Sequence, residues 1–330
     1  MRRKLPSLVL AVLLALATAG VAAAANGGFT PVAPESPNAS HTQHAYFLIL
    51  GFTAAIFVLV ESLLVVFVWK YRSRGRPRAV EGAQVHGHTR LELIWTAFPV
   101  VILAIIAAFV FYELPSIDSA PAAADPIHVT VEGHQYYWQY DYPNHARSIG
   151  TLHVPVGEVV DLKVVSPDVI HSWWIPALGG KIQAIPGRVN HTWFRVDKSG
   201  TYSGQCAELC GVFHASMLAT VTAEPASSYH AYVTQIAPAT IGQQEWTGVC
   251  ATCHGNLGQG GYGPAIASST LLTQKSGLIG ILRNGFDTPA RPGAMPPVGD
   301  TWTNEQISAI VAYVKKHIYK AAPTGATSGG

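Results

Sequence analysis

Two cysteines, a histidine and a methionine fall within one short stretch, Cys206-Ala-Glu-Leu-Cys210-Gly-Val-Phe-His214-Ala-Ser-Met217. Thiolate, thioether and imidazole groups together form a soft ligand set of the kind that selects copper in electron-transfer proteins. One thiolate is enough for a single copper ion, whereas two thiolates can bridge a pair. A second imidazole has to come from elsewhere, and His171 is the candidate because it stands at the end of a strand-like segment.

Two other interpretations of this stretch stay open at the level of the sequence. Outside the cytoplasm two neighbouring cysteines often form a disulfide, and two cysteines with two histidines can bind zinc tetrahedrally. The disulfide would leave His214 and Met217 without a role, and zinc would leave Met217 unused. Apart from Met1, all the sulfur-containing residues of the chain, four cysteines and two methionines, lie in two small neighbourhoods, which favours metal chemistry over packing.

The second neighbourhood is Cys250-Ala-Thr-Cys253-His254, which has the spacing of a c-type haem attachment site. The two cysteines would hold the porphyrin through thioether bonds, and His254 would bind the iron. Met295 follows about forty residues later, and His/Met ligation raises the potential of a haem into the range of electron-transfer cytochromes. Taken alone, the motif also fits a redox dithiol or half of a zinc site; the Gly263-Pro264 pair and Met295 favour haem.

Two predicted membrane spans precede these sites. Residues 45–69 and 93–112 are apolar runs, each long enough to cross a bilayer, which takes roughly 20 residues. The connection between them, residues 70–92, has five arginines and one lysine against two acids, Glu81 and Glu92. By the positive-inside rule it is cytoplasmic, so both ends of the hairpin and everything after residue 113 lie outside. Residues 1–25 have the pattern of a secretory signal peptide, the alternative being an uncleaved anchor.

The composition agrees with a membrane protein and argues against a polyanion-binding one. Hydrophobic residues make up 49% of the chain and the mean hydropathy is +0.24, which is high for a soluble protein. The formal net charge is only +2, and 12% of the residues are charged, so no basic surface for nucleic acid is indicated.

Beyond residue 126 the sequence changes to short runs of β-branched residues separated by turn residues, which predicts an all-β sandwich or barrel. Further on, Gly-rich loops and helical segments predict an all-α domain that ends in an amphipathic helix. The fold class is therefore a multidomain membrane protein. Its predicted parts are a transmembrane helical hairpin (41–114), the all-β domain (126–224), a linker (225–240), the all-α domain (241–320) and a disordered tail (321–330).

From about residue 41 to 224 the chain resembles subunit II of the haem–copper cytochrome c oxidases. Residues 241–320 resemble a class I cytochrome c domain, and the whole arrangement is similar to oxidases in which subunit II carries a fused cytochrome c. The motifs that carry the resemblance are Leu91-Glu92-Leu-Ile-Trp95-Thr, Gly133-His-Gln-Tyr-Tyr-Trp138, Asp168-Val-Ile-His171-Ser-Trp, Ala184-Ile-Pro-Gly-Arg188-Val-Asn190 and the Cys-Ala-Glu-Leu-Cys-Gly-x-x-His-x-x-Met run.

This resemblance implies a cupredoxin domain that holds a binuclear copper centre, CuA. The carboxylate of Glu208 would in addition face a magnesium ion shared with subunit I. The implied copper ligands are two bridging cysteines, two histidines that each cap one copper, and two weak ligands, a thioether and a backbone carbonyl: Cys206 and Cys210, His171 and His214, and Met217 and Glu208, respectively.

The resemblance implies three further roles. Glu92, at the cytoplasmic start of the second span, would mark the entrance of a proton channel of subunit I; the alternative is a favourable acid at a helix N-terminus. Tyr136 and Trp138 belong to the aromatic motif through which electrons reach the copper. The family usually has tryptophan where this chain has Tyr136, and electrons from a soluble cytochrome enter through that tryptophan. We therefore expect an altered route.

The function implied is that of the electron-transfer subunit of a cytochrome-c oxidase. Electrons would pass from a covalently bound haem c to CuA and on to subunit I, where oxygen is reduced with proton translocation. The expected partners are subunits I and III, with a cytochrome c or a quinol-oxidising complex as donor. The expected location is the bacterial inner membrane, with both metal domains on the periplasmic side. The alternative is a stand-alone membrane-anchored redox carrier or a copper-delivery protein without oxidase activity.

Overall fold

A computed structural model describes residues 31–72, 86–122, 125–144, 146–236, 240–288 and 291–320. The predicted signal peptide (1–25) and the predicted disordered tail (321–330) lie outside the described residues. The chain divides into two compact units, one formed by Ser40–Ser119 and the other by the residues on either side of it.

The first unit consists of two long apolar helices, α1 (Pro37–Tyr71) and α2 (Thr89–Asp118). Both are long and apolar enough to span a membrane, and most of their large apolar side chains are exposed. Such a helix is stable only where its apolar surface meets lipid or another protein. The predicted hairpin is confirmed, with helices that extend a few residues beyond the predicted limits at both ends.

The all-β domain is a sandwich of two five-stranded sheets, as predicted. The first sheet has the strand order β3-β2-β1-β5-β8, and the second has the order β4-β10-β9-β6-β7. The strands are β1 (Ile127–His134), β2 (Tyr137–Asp141), β3 (Arg147–Ile149), β4 (Thr151–Pro155), β5 (Val159–Val165), β6 (His171–Trp174), β7 (Ile182–Ala184), β8 (Asn190–Arg195), β9 (Gly200–Cys206) and β10 (Leu218–Glu224).

Alternating side chains of facing strands fill the space between the two sheets. Val129 and Val131 on β1 point inward, and Leu162 and Val164 on β5 do the same. Because side chains alternate along a strand, a shift of one residue in pairing would expose this set, so the core fixes the register. The sandwich therefore presents β6 and the end of β9 side by side, with Trp173 paired to Cys206.

The segment predicted to be a linker is more ordered than the sequence suggested. A helix, α3 (Ala226–Gln235), occupies most of it, and Tyr229 and Val233 are buried against the core of the sandwich. These two residues are four positions apart and share one face of the helix. The sequence did not indicate this helix within the segment 225–240, because a two-residue apolar stripe is too short to recognise in a polar sequence.

The all-α domain surrounds a second apolar core. Its helices are α4 (Ile241–Glu245), α5 (Ala251–His254), α6 (Lys275–Asn284) and α7 (Asn304–Tyr313); π-helical turns at Trp246–Cys250 and Val314–Ile318 connect α4 with α5 and extend α7. A short hairpin, β11 (Phe286–Thr288) with β12 (Arg291–Met295), was not predicted. Thr303 begins α7 with a capping box, in which its hydroxyl and the Gln306 side chain each accept a backbone N–H.

The all-α domain packs directly on the first sheet of the sandwich. Tyr137 of β2 belongs to the apolar core of the all-α domain, where the Trp302 indole donates a hydrogen bond to its hydroxyl. The amide of Gln306 donates to the side-chain oxygen of Gln139 at 3.2 Å, in a buried position. The two domains therefore share a mixed apolar and polar interface in addition to their covalent connection.

Candidate functional site

The predicted copper ligands converge at one end of the sandwich. His171 begins β6, Cys206 ends β9, and Cys210 lies in the segment that connects β9 with β10, here called the copper loop (residues 206–217). These three residues are buried, and their ligand atoms lie within 4.8 Å of one another. His171 is 35 positions from Cys206 in the chain, and only the pairing of β6 with β9 brings it there.

The distances between the sulfur atoms favour a metal over a disulfide. The sulfurs of Cys206 and Cys210 are 3.9 Å apart, far beyond the roughly 2.0 Å of an S–S bond. A soft metal ion with metal–sulfur bonds of about 2.3 Å can contact both sulfurs at that separation. Cys210 Sγ lies 3.5 Å from Nδ1 of His214 and 3.8 Å from Sδ of Met217. The donor set therefore fits copper, since zinc would have no use for the thioether.

One backbone oxygen completes this set. The carbonyl oxygen of Glu208 lies 3.3 Å from Cys206 Sγ, on the inner side of the copper loop. The Glu208 side chain leaves in another direction and accepts a hydrogen bond from Gln183 at 3.3 Å. Glu208 thus places its backbone carbonyl beside the sulfur cluster and its half-buried carboxylate beside Gln183.

Asp168 orients one of the imidazoles, and sequence reasoning did not assign it that role. Its carboxylate lies 2.8 Å from Nε2 of His171, which leaves Nδ1 of the same ring facing Cys206. Asp168 is itself fixed by the backbone N–H groups of Val169 and Gln135. A carboxylate behind a metal-binding histidine selects the tautomer and holds the ring. The Asp-x-x-His spacing was the available signal.

The electrostatics of the sulfur pair favour loading with a cation. The hydrogen bond between the two sulfurs lowers the pKa of Cys206 to about 3 and raises the pKa of Cys210. The pair therefore holds one proton where two separate thiols would hold two. Burial works against the charged form of His171, but its hydrogen bonds to Asp168 and Cys206 outweigh burial and raise its pKa. A metal that binds here displaces these protons, so its affinity rises with pH.

The haem-attachment motif lies on the short helix α5 and the π-helical turn before it. The ring Nδ1–H of His254 donates to the backbone oxygen of Pro264 at 2.9 Å, which leaves Nε2 available for an iron ion. Gly263 permits this arrangement, because a Cβ at that position would stand 3.0 Å from Cε1 of the imidazole. Burial raises the pKa of Cys250 to about 12 and also raises that of Cys253.

The spacing and the free ring nitrogen suit a covalently held haem. The Cys-x-x-Cys pair can carry the thioether bonds, and the adjacent histidine can be the axial ligand through Nε2. The motif also borders the apolar core of the all-α domain. Met295 ends β12, where it pairs with Phe286, and its side chain is half-buried in the same domain.

Of the other predicted site residues, Trp138 contacts a copper ligand directly. It is fully buried, and its ring meets that of His171 edge to face at 5.9 Å. The hydroxyl of Tyr136 accepts a hydrogen bond from the Val212 backbone N–H, in the copper loop. Glu92 is far from either metal site in sequence. It lies in the first turn of α2 and accepts a hydrogen bond from the His88 backbone N–H at 3.0 Å, so it stabilises the start of that helix.

Comparison with known proteins supplies the family. Residues 24–112 match the family described as cytochrome c oxidase subunit II, transmembrane domain, and residues 147–224 match its periplasmic domain. Residues 237–314 match the family described as cytochrome c oxidase, cbb3-type, subunit III. Cytochrome c oxidase subunit 2 of Alkalihalophilus pseudofirmus is 31% identical over 314 residues, which cover 87% of this chain and 90% of that protein. The chain belongs to the cytochrome c oxidase subunit 2 family.

Other members of the family match over smaller parts of the chain. The subunit 2 protein of Cereibacter sphaeroides is 33% identical over 247 residues, covering 63% of this chain and 79% of that protein. The crystal structure of the periplasmic domain of cytochrome oxidase subunit II from Bradyrhizobium japonicum is 33% identical, covers 36% of this chain and 96% of that structure, and has a TM-score of 0.34.

Membership of this family confirms the predicted class of function. The chain is an electron-transfer subunit of an oxidase complex, carries a cytochrome c domain, and is anchored in a membrane with a periplasmic domain. The family implies copper in the sandwich, haem in the all-α domain and subunit I as the partner.

Proposed function

We propose that this chain takes up electrons on its cytochrome c domain and passes them, within one molecule, to copper held by its cupredoxin domain. The bound metals would supply one-electron redox centres, and the protein would hold them in fixed positions. The single observation that carries the proposal is a continuous series of aromatic contacts between the two metal-binding loops. The residues proposed to hold haem are Cys250, Cys253, His254 and Met295, and those proposed to hold copper are His171, Cys206, Glu208, Cys210, His214 and Met217.

The aromatic contacts run from the loop beside His254 to the copper loop. Tyr262 follows Gly261 in the segment that packs on His254, and its ring meets the ring of Phe213 edge to face at 5.6 Å. Phe213 in turn meets Tyr136 edge to face at 5.4 Å. Because Tyr136 is hydrogen-bonded to the copper loop, a path through protein atoms joins both sites. Neither Phe213 nor Tyr262 had a signal in the sequence.

Gln135, which precedes Tyr136 in the connection between β1 and β2, is also hydrogen-bonded to the copper loop. Gln135 donates a hydrogen bond to the backbone oxygen of Cys210 at 2.5 Å. Tyr136 is half-buried and contacts the backbone of the copper loop at Val212, whereas Trp138 is fully buried and contacts the ring of His171. These contacts support an altered route into Tyr136, and we propose that it runs from the attached cytochrome c domain through Phe213.

The domain interface supports a docked donor more than a freely tethered one. Nδ1 of His134 is hydrogen-bonded to the hydroxyl of Thr301 at 2.9 Å. The His134 ring also stacks on Tyr137, with ring centroids 4.7 Å apart, and Tyr137 in turn contacts Trp302 edge to face. Buried aromatic and amide contacts of this kind exclude water and depend little on salt. We expect electron transfer between the two domains to vary little with ionic strength.

Laser-flash reduction of the haem in the purified full chain, with copper loaded, tests the route. Phe213→Leu removes the central ring while keeping an apolar side chain, and electron transfer to copper should be slower than in the wild type. Tyr202→Leu is the matched control, because Tyr202 lies on β9 and its hydroxyl donates a hydrogen bond to the backbone oxygen of Lys198 within the sandwich. Equal rates in Phe213→Leu and wild type, with both metal spectra intact, would rule out this route.

The partners and location of the chain are also part of its proposed function. We propose that the chain works beside subunits I and III in the bacterial inner membrane, with a cytochrome c or a quinol-oxidising complex as donor. The exposed Leu209 and Val212 of the copper loop offer an apolar surface for subunit I. Purification from native membranes should yield haem a and oxygen consumption together with this chain. Their absence would favour the stand-alone redox carrier or copper-delivery protein.

Two carboxylates carry the remaining proposals. We propose that Glu208 binds a magnesium ion jointly with subunit I, since Mg²⁺ prefers oxygen ligands and keeps few protein ones. Mn²⁺ substituted in the complex should give an EPR signal that Glu208→Gln weakens. We also propose that Glu92 admits protons, so that Glu92→Gln slows turnover while copper reduction stays fast. Unchanged turnover would leave Glu92 as the helix-end acid described above.

A further inference from the structure

A second cluster of metal-binding side chains lies in the membrane hairpin, away from both redox sites. His41 and His44 are in the first turns of α1, and Glu113 is near the end of α2. One ligand atom from each of the three residues lies within 4.8 Å of the others. The histidines are one helical turn apart, which places both on one face. Residue spacing does not indicate the cluster, because Glu113 is 72 positions from His41.

The distances suit a small divalent ion. Nδ1 of His41 is 2.5 Å from one oxygen of Glu113, and Nδ1 of His44 is 3.9 Å from the other oxygen. Ligand atoms that bind one zinc ion at about 2.0–2.2 Å in a tetrahedron lie roughly 3.4 Å apart. The observed separations bracket that value, so small side-chain rotations would complete the site.

The chemistry of the three ligands differs from that of the copper loop. Two imidazoles and one carboxylate form a nitrogen and oxygen set without sulfur, which suits Zn²⁺ and similar divalent ions, whereas the copper loop offers thiolates and a thioether. His44 has a side chain that is 56% exposed, so water can reach the cluster and supply a fourth ligand. The two sites should therefore bind different metals.

The carboxylate needs a positive partner. The side chain of Glu113 is only 9% exposed, and within the described residues its ion pairs are those with His41 and His44. A buried carboxylate is costly unless it is paired or bound to a metal. The two histidines offer ring nitrogens to a metal only when neutral, and a divalent ion would then supply the missing charge.

The position within the hairpin follows from the charge of the connecting loop. The positive-inside rule predicts a cytoplasmic loop, which places the beginning of α1 and the end of α2 at the outer surface of the membrane. We propose that His41, His44 and Glu113 form a binding site for a divalent transition-metal ion of the zinc type, which joins the outer ends of the two membrane helices. The site is independent of electron transfer and extends beyond the function proposed above.

Zinc titration of the purified full chain, with copper and haem loaded and loosely bound metal removed by dialysis against a chelator, tests the proposal. Competition with a chromophoric zinc indicator should reveal one zinc ion per chain. Because the loss of groups that merely orient a ligand already costs roughly 10–100-fold in metal affinity, Glu113→Gln and His44→Ala should weaken zinc binding by at least that factor. X-ray absorption of the bound zinc should show nitrogen and oxygen neighbours and no sulfur.

His128→Ala is the matched control. His128 pairs with Asp161 at 2.9 Å on the surface of the sandwich, so this variant removes a histidine–carboxylate pair of similar type but should bind zinc as the wild type does. His44 is exposed, so His44→Ala keeps the test valid if Glu113→Gln fails to fold, and the copper and haem spectra report the fold of both variants. Absence of stoichiometric zinc, unchanged affinity in His44→Ala, or sulfur around the zinc would each overturn the proposal.

Discussion

Replacement of Glu245 by glutamine should change the pH dependence of stability of the cytochrome c domain. Glu245 ends α4 and is fully buried. Within the described residues neither of its carboxylate oxygens has a hydrogen-bond partner of normal geometry. Burial raises the pKa of Glu245 from 4.5 to about 8, an effect that the Gln306 amide and the Arg147 guanidinium offset only in part. The carboxyl is therefore protonated at neutral pH.

The magnitude follows from linkage between proton binding and folding. Because the pKa is higher in the folded state, the neutral acid stabilises the fold fully below pH 4.5, and this contribution is lost as pH rises to about 8. Between these two pH values, each pH unit lowers the free energy of unfolding by about 1.4 kcal/mol. The total loss is therefore about 5 kcal/mol above pH 8 and about 3 kcal/mol at pH 7. Glutamine has a similar shape and cannot ionise, so Glu245→Gln should escape this loss.

The assay is denaturant unfolding of the full chain, followed by the haem absorption of the cytochrome c domain at pH 5.5, 7 and 8.5. The stability difference between Glu245→Gln and wild type should increase steadily with pH. Asp300→Asn is the control, because it replaces an exposed acid of the same domain by the corresponding amide. A difference between Glu245→Gln and wild type that stays constant over this pH range would refute the reasoning.

Three further substitutions test other parts of the structure. Cys206→Ser should abolish the EPR signal of a copper pair, because one remaining thiolate cannot bridge two ions; an oxidised wild type with a disulfide and no copper would contradict the site itself. Gly133→Ala should alter the copper absorption spectrum and destabilise the sandwich by about 1–3 kcal/mol, because its Cβ would stand 2.9 Å from the ring of His171; an unchanged spectrum would argue against that contact. Thr303→Ala should cost about 1 kcal/mol through loss of the cap of α7, measured by the same unfolding assay, and no change would show that the cap is dispensable.

The sequence alone determined those parts of the protein whose information is local. The copper loop contains Cys206, Cys210, His214 and Met217 within twelve residues, so their proximity follows from their spacing in the sequence. The haem-attachment motif is equally compact, and the two apolar runs need only length and hydropathy to predict membrane helices. The short runs of β-branched residues beyond residue 126 also correspond to strands of the sandwich, because alternation along a strand is a local property.

The tertiary structure decided which distant residues meet. Asp168 orients His171 because a turn before β6 is tied to β1–β2 by the Gln135 backbone N–H. Phe213 touches Tyr262 only because the cytochrome c domain docks on the sandwich, and residue spacing carries no trace of that docking.

The membrane hairpin and the domain core show the same limit. Glu113 reaches His41 only when two helices pack antiparallel, and the burial of Glu245 depends on a core assembled from several helices. Sequence patterns report what neighbours along the chain can do, whereas burial, pairing and the pKa of a carboxyl depend on neighbours in space. Those neighbours exist only after the chain has folded.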